Sequence, residues 1–389
     1  MKILAAQYGT ELFGRERENI ECYKSFKRLG HEVQVFGSYR AEHGGKTGLL
    51  LTQLGLKCGE LPFGSHFSLE YFKRMKGYWW LQIKRVYWCS TLMRKKAREM
   101  DADAIFLGGT MEFLYLWPWL LMQRRPVIYR VGDAPIWASP FHKSVMKILL
   151  SKASLVVPTS HFIHSECIAL LNSTKTKAHV IWNIPPEFEA KTDPTDELIY
   201  RQATTTGPTK FLFVGQITPE KGVKTMVEAL IALKGNSSWQ CRIVGGGTYT
   251  TEFQKELADL VKKRNLEEKI QFTGQVSNPT EHYNWADWHV LPSHLNEAFG
   301  LVIVEAKKQG TPSIVFPLGA MPELIDPDVN GIITKCASVE ALTEAFYKAI
   351  AAKQCMSGPA RDSYEKDFTS ARFDSDWETS LNSLHVNSK

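Results

Sequence analysis

A strand-length apolar run followed by a helix-length stretch recurs along this chain, stops once, and then starts again. Residues 2–7 form the first run, followed by a turn-rich segment over 8–14. A helical stretch reaches Arg28, Leu29-Gly30 ends it, and 32–36 reads as a second strand. Residues 104–107, 127–130, 155–157 and 179–182 continue the series, each separated from the next by enough chain for a helix. Short, uniformly apolar strands joined by such crossovers are the pattern of a parallel sheet with helices on both faces. Between 183 and 209 the rhythm breaks into Asn183-Ile184-Pro185-Pro186 and a polar stretch rich in Pro and Thr. It resumes with strands at 210–214, 241–244, 270–273, 289–291, 313–316 and 332–334, and helices at 224–233, 251–263, 301–308 and 340–351. The expectation is an α/β chain of two doubly wound, Rossmann-like domains. The first spans 1–190, a linker 191–209, the second 210–370, and a tail over 371–389 packs back on the first. Sheets of this kind bind ligands beyond the carboxyl ends of their strands, so a cleft between the two domains is expected.

The chain has 389 residues, too many for one core of ordinary size, which supports two lobes. Its hydrophobic fraction of 44% and charged fraction of 23% exclude a fibrous or disordered chain. The most apolar stretch, 113–122, is short and carries Pro118, well below the ~18–20 residues of a membrane span. The first residues run directly into a strand pattern and lack the apolar core and cleavage site of a signal peptide. Seven cysteines include no Cys-x-x-Cys pair, which suits reduced thiols and a cytoplasmic protein and offers no metal-site spacing.

Charge is unevenly shared. Residues 1–190 hold 26 Lys and Arg against 16 Asp and Glu, whereas 191–389 hold 21 against 25. Only the first half is suited to an anionic surface. Within it, 71–98 is basic and aromatic together, including Trp79, Trp80, Lys84, Arg85, Tyr87, Trp88, Arg94, Lys95, Lys96 and Arg98. Three readings fit that composition: an anionic membrane surface, a core-facing aromatic stripe with a solvated basic face, and, least well, nucleic acid. The partner expected from this composition is an anionic membrane surface, with no nucleic acid. That places the chain in the cytoplasm, peripheral to the inner face of the membrane.

The strongest chemical signal is the string 292–306, Pro-Ser-His-Leu-Asn-Glu-Ala-Phe-Gly-Leu-Val-Ile-Val-Glu-Ala. It leaves a buried strand and opens a helix near Gly300, where backbone amides and the helix dipole favour an anion. Glu297 precedes the helix and Glu305 lies more than a turn inside it, on the order of 10 Å away at the helical rise. With Phe213-Val214-Gly215, Lys221-Gly222, 242–247, Phe272-Thr273-Gly274-Gln275-Val276, Gly319-Ala320-Met321-Pro322-Glu323 and Asn330-Gly331, this string resembles family 4 of the retaining glycosyltransferases, which have the GT-B fold. In the first half the likeness rests on the glycine-containing loop after the first strand and on 29–33.

The resemblance implies a hexosyltransferase-type, retaining enzyme that uses a nucleotide-sugar donor, UDP favoured, and needs no metal or other cofactor. Its acceptor would be a hydroxyl of a glycan or glycolipid in surface polysaccharide synthesis. By the same resemblance Glu305 bonds the ribose, Glu297 the donor sugar, and Phe299, Gly300 and Leu301 offer amides. Lys221 neutralises the leaving phosphate, Val276 lies near the base, and Gly9, Thr10, Gly14 and Gly215 line the donor. Two positions depart from the family pattern. Gln216 stands where an arginine is usual, removing a charge-assisted contact, with Arg15 and Arg130 as the candidate replacement cations. At the strand end 129–135 no histidine appears. Asp133 there either orients sugar or acceptor as a catalytic group or caps a turn. A catalytically weak scaffold subunit, or an epimerase or phosphorylase on the same fold, is the alternative. Asp101-Ala102-Asp103 is a literal Asp-x-Asp, but it precedes its strand, at the wrong end for a metal-bound ligand.

Overall fold

The computed structural model describes residues 1–9, 14–38, 46–64, 77–133, 140–171, 178–186, 207–233, 238–246, 251–352 and 356–385. It divides the chain into two compact units, Met1–Ile184 with Ser370–Lys389, and Pro185–Thr369. Thr10, residues 71–76 of the basic-aromatic stretch, Ala134 and Pro135, Gly247, residues 187–190 and residues 191–206 of the expected linker lie outside the described residues.

In the first unit six parallel strands are β1 (Lys2–Gln7), β2 (Glu32–Gly37), β3 (Lys57–Glu60), β4 (Ala104–Leu107), β5 (Val127–Val131) and β6 (Leu155–Pro158). Their order is β3-β2-β1-β4-β5-β6. Helices α1 (Gly14–Arg28), α2 (Lys46–Gln53), α3 (Tyr78–Glu99), α4 (Thr110–Met122), α5 (Pro140–Lys152) and α6 (His161–Leu171) make the crossovers. The central strands are apolar on both faces because both faces are covered: Ile3, Ala5, Phe106 and Ile128 are fully buried. Helix α1 turns Cys22, Tyr23 and Phe26 inward at near-helical spacing. Residues 179–182, expected as a strand, are an extended segment beside β6. His179 and Ile181 donate to the carbonyls of Val156 and Pro158, and Ala178 makes a single bridge to Val156.

The second unit holds β7 (Thr209–Val214), β8 (Trp239–Val244), β9 (Ile270–Gly274), β10 (Trp288–Leu291), β11 (Ser313–Val315) and β12 (Gly331–Ile333), in the order β12-β11-β10-β7-β8-β9. Around them lie α7 (Val223–Ala232), α8 (Thr251–Lys263), α9 (Thr280–Trp285), α10 (Leu301–Lys308), α11 (Val339–Ala352) and α12 (Ser357–Asp367). Numbered within its own unit, each sheet runs 3-2-1-4-5-6, the doubly wound order whose ligand crevice opens between the first and fourth strands.

The last helix, α13 (Ser370–His385), belongs to the first unit. Trp377 sits edge-on to Phe26 at 4.8 Å, and Arg28 forks onto Asp374 at 2.7 and 2.8 Å. The Asp-x-Asp segment has a structural partner: Asp103 Oδ2 accepts from the Lys2 amide at 2.7 Å, at the amino end of β1. Among the described residues no helix is long and apolar enough to cross a membrane.

Candidate active site

The carboxyl ends of β7 and β10 meet at the crevice of the second sheet. After β7 the chain passes Gly215 and an exposed Gln216 into a single 3-10 turn, Pro219–Lys221, which places Lys221 directly before α7. After β10 it runs through Pro292 and Ser293 to Glu297 and enters α10 at Leu301. Lys221 Nζ donates to Glu297 Oε1 at 2.7 Å, with the two side chains 23% and 15% exposed.

Backbone contacts fix that pair from both sides. Gly222 has φ of +73°, and a Cβ there would lie 1.8 Å from the Pro292 carbonyl oxygen. Only glycine lets the two loops approach this closely. The His294 amide then donates to the Glu220 carbonyl at 2.8 Å, and His294 Nε2 lies 2.8 Å from Thr225 Oγ1. From the other side Gly319, at φ +59°, brings the loop after β11 against the Glu297 backbone, and Ala320 donates to the Glu297 carbonyl at 2.9 Å.

Helix α10 starts at Leu301 behind Gly300, which adopts a left-handed conformation and supplies no side-chain cap. Phe299 is buried beside it, 6.4 Å from the Phe368 ring. Glu305 is buried one turn further on, and its Oε2 accepts from Tyr283 Oη at 2.9 Å. Val276, just past β9, is half-buried against a small apolar cluster that includes Val214 and Val244. The loops after β7, β9 and β10 thus present a lysine, two glutamates and a helix start. Such an arrangement can neutralise phosphate oxygens through Lys221 and the α10 amides, and accept hydroxyl bonds through the glutamates.

The first unit holds a different cluster at the ends of β1, β4 and β5. Asp133 is 57% exposed there and pairs with Arg15 Nη1 at 3.3 Å. Arg15 Nη2 lies 3.6 Å from Glu16 Oε1. Burial works against the Arg15 charge, but Glu112, Asp133 and Glu16 outweigh it and hold the guanidinium more firmly protonated than usual. Glu112 is completely buried and accepts from the Tyr8 amide at 2.7 Å; burial pushes its carboxyl up to about 7. Gly9 follows Tyr8, and Gly14 opens α1 with free space around it.

Arg130 does not replace the cation missing at 216. Its guanidinium is buried inside the first unit, donating to Asn183 Oδ1 at 2.5 Å and stacked 5.7 Å from the Trp377 ring. Arg15 is likewise engaged by acids of its own unit. Glu18, close to Arg130 and Asn183, is pushed up to about 7 by its packed surroundings. Glu112, Glu18 and Tyr283 were not singled out by the sequence. Glu112 had one signal, a lone acid in the first turn of an otherwise apolar helix.

Comparison with known proteins bears on both units. Residues 195–365 match the family described as Glycosyl transferases group 1. An uncharacterized glycosyltransferase of Methanocaldococcus jannaschii, MJ1607, is 26% identical over 233 residues, 58% of this chain and 58% of that protein. The lipopolysaccharide 1,2-N-acetylglucosaminetransferase of Salmonella typhimurium is 25% identical over 52% of this chain and 54% of its own length. The chain thus spans little more than half the length of these curated relatives. Among solved structures, Alr3699/HepE of Anabaena, determined with UDP and glucose, superposes with a TM-score of 0.76 at 21% identity, covering 98% of this chain and 100% of that one. The same Anabaena protein has also been determined with UDP-glucose. The chain therefore has the two-domain α/β GT-B fold, and its residues 195–365 are similar to the group 1 glycosyl transferases.

Proposed function

We propose that the protein transfers a hexosyl group from a nucleotide sugar, a UDP-sugar first, to a hydroxyl of a glycan or lipid-linked acceptor in surface polysaccharide or glycolipid synthesis. The observation that carries this reading is the Lys221–Glu297 pair at 2.7 Å, held at the crevice of the second sheet beside the start of α10. A diphosphate seated there gains a cation from Lys221 and amides from Gly300 and Leu301. Glu297 accepts from hydroxyls of the donor sugar, and Glu305, oriented by Tyr283, accepts from the ribose.

In the reaction the bond between the anomeric carbon and the phosphate oxygen breaks and a bond from the acceptor oxygen to that carbon forms. Stabilising the negative charge that gathers on the leaving diphosphate is the main task of the site, and fixed groups do it without reorganisation. The acceptor approaches from the leaving-group face and gives its proton to the departing phosphate oxygen, which retains the anomeric configuration. No metal is assigned a part, and Asp133 is assigned to orient the acceptor. Gln216 contributes a neutral hydrogen bond in place of a charged one, so donor affinity rests more heavily on Lys221.

A donor-hydrolysis screen across nucleotide sugars, followed by proton NMR of the product made with the active donor, tests this reading. The expected result is turnover of one nucleotide sugar, unaffected by a chelator, with product and donor sharing one anomeric configuration. An inverted product contradicts the retaining step. Epimerisation of the donor sugar with its nucleotide bond intact, or turnover that needs free phosphate, moves the protein to epimerase or phosphorylase chemistry.

A further inference from the structure

Helices α3, α4 and α5 pack side by side on one sheet of the first unit and leave an apolar groove of about 740 Å³ open to solvent. Trp79, Ile83 and Tyr87, four residues apart along α3, line one wall, and Trp117, Met122 and Phe141 line the other. Large apolar groups on this face are well exposed: Trp80 to 64%, Tyr87 to 67%, Met122 to 74%. Isolated exposed apolar residues are ordinary, but a contiguous groove rimmed by charge marks an interaction surface.

The charge around it has one sign. The three helices carry nine Lys and Arg, and their two acids are Glu112, buried, and Glu99. Glu99 is engaged by Lys95 and Lys96. Arg85 is half-buried and lies against Gly64. The basic groups facing outward on α3 are therefore Lys84, which lies 5.6 Å from the Trp80 ring, and Arg94 and Arg98 on the groove itself, and α5 adds the exposed Lys147 and Lys152. Trp and Tyr rings sit favourably at headgroup depth, and Lys and Arg are drawn to an anionic leaflet.

We propose that this face docks on an anionic phospholipid bilayer: the exposed Trp and Tyr rings enter the headgroup layer, an acyl chain enters the groove, and Lys84, Arg94 and Arg98 meet lipid phosphates. The surface lies wholly within the first unit and needs no donor, so it stands or falls independently of the sugar-transfer reading.

Vesicle sedimentation with the full chain tests it, using phosphatidylcholine alone and with phosphatidylglycerol added. Partition is expected to need phosphatidylglycerol and to fall with salt. It should drop about fivefold for each of Lys84→Gln, Arg94→Gln and Arg98→Gln, the worth of one basic side chain at such a surface. Ile83→Glu, which puts a carboxylate into the groove at an exposed site, should abolish partition. With the unaltered chain, lipids brominated along the acyl chain should quench tryptophan fluorescence. Equal binding to both vesicle types, no binding at low salt, or no quenching overturns the proposal. So does a dimer that Ile83→Glu converts to monomer without vesicles, or competition of equal strength by an oligonucleotide.

Discussion

At the ends of β7 and β10 the second unit sets Lys221 and Glu297 2.7 Å apart and leaves both part-exposed. At the ends of β1, β4 and β5 the first unit, with the same strand order, buries Glu112 and encloses Arg15 among acids. One topology therefore supports two uses of charge. Where the loops are locked backbone to backbone, as at Gly222 and Gly319, charged groups stay part-exposed and addressable by a ligand. Where the carboxylates are withdrawn from water, they take up protons near neutrality, and the cluster contributes shape more than charge.

The sharpest break between the units should come from catalysis. Lys221→Ala should lower kcat/KM for transfer about 10³-fold, the loss typical of a group that stabilises leaving-group charge. Asp133→Ala should cost only about tenfold, mostly in acceptor KM. Steady-state kinetics with varied donor and acceptor reads both, and equal losses would erase the distinction.

Next comes backbone fit. Gly222→Ala forces a Cβ onto the Pro292 carbonyl at a left-handed φ. It should destabilise the second unit by about 2–4 kcal/mol in urea unfolding. Gly14→Ala, with nothing within 4 Å, should change the first unit by less than about 1 kcal/mol.

A pH effect of similar or smaller size belongs to the first unit. Glu112 and Glu18 hold their protons to about 7 when folded, against an ordinary value of 4.5. Between those values the folded state binds more protons than the unfolded one, so stability is full below pH 4.5 and falls as pH rises toward 7. Calorimetric unfolding of the first unit should show that decline. Glu18→Gln with Glu112→Gln should flatten it by on the order of 2–3 kcal/mol for the buried Glu112 and less for the part-exposed Glu18. The smallest effect concerns Tyr283→Phe, which removes one bond to Glu305 and should weaken donor binding about five- to tenfold.

The two units also differ in how readily their sequences disclose them. In the second, the candidate site is written locally: Lys221 adjoins Gly222, and Glu297, Gly300 and Glu305 share one short string, so spacing already groups its residues. The first unit's cluster joins Tyr8 to Glu112 and Arg15 to Asp133, partners about a hundred residues apart that no local pattern relates. Strand β3 was missed because its side chains are mostly exposed at a sheet edge and form no apolar run. Tyr283 was missed because its hydroxyl serves a residue 22 positions away on another helix. The basic-aromatic stretch was visible, but which of its charges face outward required the helix packing. Lys95 and Lys96 turn to Glu99, while Arg94 and Arg98 line the groove.

The central claim is that the crevice of the second sheet holds a nucleotide sugar through Lys221. Calorimetric titration of the full chain with UDP-, GDP- and ADP-sugars, repeated on Lys221→Ala, measures it directly. The expected result is saturable binding of one nucleotide class, UDP-sugars first, weakened about a hundredfold in the variant. Binding of no nucleotide sugar, or binding left unchanged by Lys221→Ala, would contradict it.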